Sequence, residues 1–119
     1  MPLENAIEIA EASQFDDWLA RHGRDQSECW VIMYNKASGK QTVGFDALLE
    51  VAFTPGWIDV QTRNVDADRY AIRFTPRKLK SNWSARNRAI VRRLLAEHRM
   101  HPEGIAALPP DLDDQASEG

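Results

Sequence analysis

Apolar positions along the chain change spacing several times, and each change marks an element. Phe15, Trp18 and Leu19 recur at i, i+3 and i+4, so a short helix is predicted over Ser13–His22. Ser13 followed three residues later by Asp16 resembles a capping box, and Gly23 supplies the stop. Cys29–Asn35 is an almost unbroken run of β-branched and aromatic residues without polar alternation, which reads as a central strand covered on both faces. A turn follows at Lys36–Lys40.

Helical spacing returns with Phe45, Leu48, Leu49, Ala52 and Phe53, and Pro55-Gly56 closes that run. Trp57–Arg63 and Arg69–Thr75 then form a hairpin. Tyr70, Ile72 and Phe74 make one apolar face, and Arg73 points outward from the other. The longest helix is predicted over Trp83–Arg99, with Trp83, Ile90, Val91, Leu94, Leu95 and His98 on one arc. Arg86 and Arg93 flank one side of that arc, and Arg88, Arg92 and Arg99 the other. Pro102 ends it and leaves room for one more turn up to Ala107. The order α-β-α-β-β-α predicts a single α+β domain over residues 1–108, a small, mainly antiparallel three-stranded sheet packed against three helices, with residues 109–119 as a disordered acidic tail.

Composition adds exclusions. One Cys in 119 residues removes any disulfide framework, and no apolar run reaches the ~20 residues of a membrane span. The N-terminal MPLENAIEIAEA lacks a basic region followed by an apolar one, so a cytoplasmic protein is expected. The net charge of −3 is unevenly spread: Arg63–Arg99 carries +8 and the remaining residues −11.

The basic segment contains the best local constellation. Arg73, Arg77, Lys78 and Lys80 lead into Ser81, Asn82, Trp83, Ser84, Arg86 and Asn87 at the start of the last helix. Unpaired amides and the positive dipole end there favour an anion. The competing reading makes Ser84 a plain N-cap, Trp83 a core residue and the bases partners of the acidic remainder. Asp59 shares a strand face with Trp57 and is expected to form a structural ion pair with Arg73 or Arg77. His98 and His101 invite a metal reading, but no third ligand is near, and the apolar arc predicts His98 as a buried or boundary residue. Cys29, beside Trp30, is expected to be an inert buried thiol. No nucleophile with a matching base is visible, so no catalytic residue, metal or cofactor is assigned.

Two stretches carry a resemblance. AFTPGWID and RFTPRKLKSNWSARNRAIVRRLLAEHRMHPEGI, within residues 45–108, resemble the signature of the bacterial YdeI/OmpD-associated family, also called bacteriocin-protection proteins. Thr54-Pro55 stands where that family has a Cys-Phe pair, so no role of that thiol carries over. The resemblance implies a non-enzymatic binding or interaction protein. Together with the charge pattern, it leads to the expectation of a basic surface receiving an anionic ligand or protein partner. A second reading has the same surface bind nucleic acid, with Arg side chains on phosphates and an exposed ring stacked on a base.

Overall fold

The computed structural model describes residues 6–35, 38–39, 43–77 and 83–108. In chain order these form β1 (Ile7–Glu8), α1 (Ala12–His22), β2 (Cys29–Tyr34), α2 (Phe45–Phe53), β3 (Trp57–Asn64), β4 (Arg69–Pro76), α3 (Ala85–Ala96) and α4 (Pro102–Ala106).

The α+β class stands, but the expected architecture is corrected. Among the described residues the sheet has four strands in the order β1-β2-β4-β3, and there are four helices. The sheet is mixed, because β1 lies parallel to β2 while β2–β4 and β3–β4 are antiparallel. A two-residue strand shows no alternation, so its pairing of Ile7 with Val31 and Glu8 with Ile32 left no periodic trace. The fourth helix is the turn after Pro102, whose missing amide hydrogen suits the first helical position.

The sheet separates two apolar layers. Cys29, Val31, Met33, Ile72 and Phe74 face the helices and pack with Phe15, Leu48, Phe53, Val91 and Leu94. Phe15 and Phe74 meet with ring centroids 4.8 Å apart. Trp30, Ile32 and Ala71 are buried on the opposite face, with Ala6 and Val65 packed against them. β2 is therefore buried on both sides, which explains its unbroken hydrophobic run. Desolvation pushes the Cys29 thiol up to about 12, aided by the charge of Glu28.

Helix termini bring further corrections. The N-cap of α1 is Glu11, not Ser13, and Gln14 Oε1 accepts the amides of Ala10 at 2.7 Å and Glu11 at 2.9 Å. The reach-back residue is thus Gln14 rather than Asp16. The last long helix stops at Ala96, three residues before the expected end. His98 takes φ 58° while the Arg99 amide donates to Leu94 O at 2.9 Å and the His98 amide to Leu95 O at 3.1 Å. This left-handed cap turns His98 outward, so the histidine expected on the apolar arc is exposed.

Two glycines fix the end of the sheet where α2, β3 and α4 meet. Gly56 has φ 88°, the left-handed turn that aims Trp57 into the core. Gly104 lies flat on the Thr54 carbonyl: a Cβ there would sit 2.0 Å from that oxygen. The His101 amide donates to the same carbonyl at 2.9 Å, so α4 is sutured onto the α2–β3 turn.

Candidate functional site

That junction borders a cleft of about 600 Å³, a volume in the range of small-molecule sites. Leu19, Pro55, Trp57 and Pro76 give it an apolar wall, and Arg24, Arg77, His101 and Glu103 supply polar groups. Trp57 is 2% exposed and is held from behind by an edge-on contact with Trp18, ring centroids 5.9 Å apart. Leu19 and Trp57 belong to the core, which fixes that part of the wall.

Arg77 is positioned three times over. Its amide donates to Gly56 O at 2.7 Å, its guanidinium carbon stands 3.7 Å from the Trp83 ring centroid, and Trp83 itself leans on Phe53 at 5.9 Å. Burial pushes the guanidinium below its usual range, while the charge of Asp59 pulls the other way. Guanidinium still keeps its proton at physiological pH, so the cleft has a permanent, partly desolvated cation.

The residues expected to form one basic surface are distributed differently. Arg77, Trp83, Trp57 and Asp59 gather at this end of the sheet. Arg73 does not join them: it stands opposite Trp30, away from the main core, and its Nε donates to Glu28 Oε1 at 2.6 Å. Asp59 lies half-buried opposite Phe74 and acts electrostatically on Arg77. Ser84 caps α3, its Oγ accepting the Asn87 amide at 3.1 Å. Lys80 and Ser81, with Lys78, lie outside the described residues, as does the tail after Leu108.

Arg86, Arg93 and Arg99 meet acids on α2 and Glu97. Arg86 pairs with Asp46, Arg93 Nη2 with Glu50 Oε2 at 2.8 Å, and Arg99 Nη1 with Glu50 Oε1 at 3.2 Å and Glu97 Oε1 at 3.1 Å. In the hairpin Arg69 bridges Asp66 and Glu8. Much of the +8 segment therefore meets its counterions inside the fold.

Arg24, His101 and Glu103 belong to the cleft, although the sequence pattern drew attention only to His101, and that as a weak metal ligand. The signal that could have found them is the pair Gly56 and Gly104, which marks a close approach of two backbones. Among the described residues no group of three His, Cys, Asp or Glu side chains could hold a metal ion, and no helix is long and apolar enough to cross a membrane.

Residues 7–107, nearly the whole described chain, match the family described as Domain of unknown function (DUF8412). The chain belongs to the DUF8412 family. The match covers the sheet, all four helices and every described residue of the cleft. No curated protein and no solved structure matches the chain.

Proposed function

We propose that this DUF8412 member is a non-enzymatic binding domain, working in the cytoplasm, that receives an anionic ligand in the cleft between the end of α1, the Pro55–Trp57 turn and α4. The observation that carries this reading is Arg77: its half-buried guanidinium is stacked on Trp83, its backbone amide is tethered to Gly56, and it lines a cleft with an apolar wall. A cation fixed beforehand in a partly dry site binds an anion with little ordering cost. The resemblance to YdeI/OmpD-associated proteins supports the same class, since its signature includes Gly56, Trp57, Arg77 and Trp83.

Titrating the 15N-labelled chain with benzoate tests this. Amide shifts are expected at Arg24, Gly56, Arg77 and His101, and they are expected to vanish in Arg77→Gln. Shifts confined to Ser84–Asn87, or equal in the variant, would overturn the assignment.

Nucleic-acid binding has less to support it. Arg69, Arg73, Arg86, Arg93 and Arg99 each have a carboxylate partner, and phosphates would have to displace these.

A further inference from the structure

The cleft contains its own carboxylate. Arg24 Nη2 and Glu103 Oε1 lie 3.0 Å apart, joining the turn after α1 to the first turn of α4, and both residues line the cleft. Arg24 is 83% exposed and Glu103 46%, whereas Arg77 is half-buried. The three charges thus form a graded set: a partly dry cation, and a wet ion pair at the rim. Exposed pairs of this kind are weak and exchange partners at small cost.

The charges limit the ligand. Asp59 acts on Arg77 and Glu103 pairs with Arg24, so each arginine already has an acid near it and the cleft suits a ligand of low charge. A di- or triphosphate would bring its additional charges against Glu103. The wall of Leu19, Pro55, Trp57 and Pro76 has no use for a hydrated polyanion, but it can bury an apolar body. The volume of about 600 Å³ accommodates a one- or two-ring body.

Building on the anion-site reading above, we propose that the cleft takes a compact monocarboxylate with an apolar body, and that Glu103 is its built-in competitor. Glu103 holds Arg24 in the empty site. The incoming carboxylate docks on Arg77, draws Arg24 away from Glu103 and leaves the glutamate to water. The clasp sets affinity and selects against ligands too weakly charged to open it.

The test uses the full chain and three probes: 2-naphthoate, its neutral analogue 2-naphthamide, and inorganic phosphate, followed by calorimetry at low salt. Wild type is expected to bind naphthoate at least about tenfold more tightly than either other probe. Glu103→Gln, which keeps the shape and removes the charge, is expected to tighten naphthoate about three- to tenfold, and the gain should disappear when Arg24→Gln is added. Thermal melts of each variant check that the fold is kept, and the comparison is repeated at raised salt: the exposed Arg24–Glu103 pair is screened there, so the advantage of Glu103→Gln should shrink. If no probe binds, the anion-site reading falls together with this proposal. If phosphate binds as well as naphthoate and Arg77→Gln abolishes both, that reading stands and the monocarboxylate assignment is overturned. Unchanged affinity in Glu103→Gln would overturn the competitor role.

Discussion

The Arg77 guanidinium carbon lies 3.7 Å from the centroid of the Trp83 ring, joining the residue after β4 to the residue before the cap of α3. The contact ties the end of the sheet to the last long helix and holds the only cleft cation that the fold partly buries among the described residues. Replacing either partner should therefore loosen both. In a double-mutant cycle, Arg77→Gln and Trp83→Leu are expected to couple by about 0.5–1 kcal/mol in urea unfolding, more than area loss alone would give. Additive effects would mean that the stacking carries no energy.

Gly104 tests the suture between α4 and the α2–β3 turn. Ala at this position would place a Cβ 2.0 Å from the Thr54 carbonyl oxygen, which belongs to backbone and cannot swing away. Gly104→Ala is expected to cost about 1–3 kcal/mol in urea unfolding and to weaken anion binding, because His101 and Glu103 move with α4. Ile105→Ala, at a half-exposed position on the same helix, should change stability far less.

His98 offers a gain. A non-glycine residue at φ 58° carries a steric cost in the C-terminal cap of α3 that glycine avoids. His98→Gly is expected to raise stability by up to about 1 kcal/mol, read as a higher urea midpoint at unchanged slope.

Acid should attack the seam between α2 and α3 at Glu50. The hydrogen bond from Arg93 holds its carboxyl below the ordinary value of 4.5, with Arg93 charge and Arg99 adding to the effect against the opposing pull of burial. A depressed folded-state value means that the stabilisation is complete above about 4.5 and is lost as pH falls through the lowered value. Wild type should therefore lose stability more steeply below that point than Glu50→Gln, which starts lower and has a flatter acid limb. Parallel curves would contradict the assignment.

Local chemistry made part of this fold legible. The spacing of Phe45, Leu48, Leu49, Ala52 and Phe53 matched α2 to the residue, and the alternation around Tyr70, Ile72 and Phe74 marked the hairpin, because those patterns arise from one element burying one face. β1 has two residues and borrows its order from β2, so nothing periodic announced it. Glu11 and Gln14 won the α1 cap through a reach-back bond that the more familiar serine signal obscured. The ion pairs from Asp46 and Glu50 to Arg86, Arg93 and Arg99 join residues at least 40 apart in sequence, so an uneven charge count could not reveal that the two sides meet. The cleft depends on the same kind of long-range approach: Gly104 must reach Thr54 before Arg24, Arg77 and Glu103 share a space.

Neutralisation of the basic flanks makes a prediction about nucleic acid. A fluorescent oligonucleotide in a salt series should show no binding by ~50 mM salt, and removing Asp46 and Glu50 together, as Asn and Gln, should create weak, steeply salt-dependent binding. Tight binding to the unaltered chain would restore the polyanion reading.

The central claim is that an anion binds beside Arg77, and a crystal structure of the chain grown with 2-naphthoate tests it most directly. The account predicts the carboxylate within hydrogen-bond distance of the Arg77 guanidinium, the rings against Trp57 and Pro55, and Glu103 swung away from Arg24. A naphthoate held elsewhere, for instance along Arg86 and Arg93 on α3, with the Arg24–Glu103 pair unchanged, would contradict it.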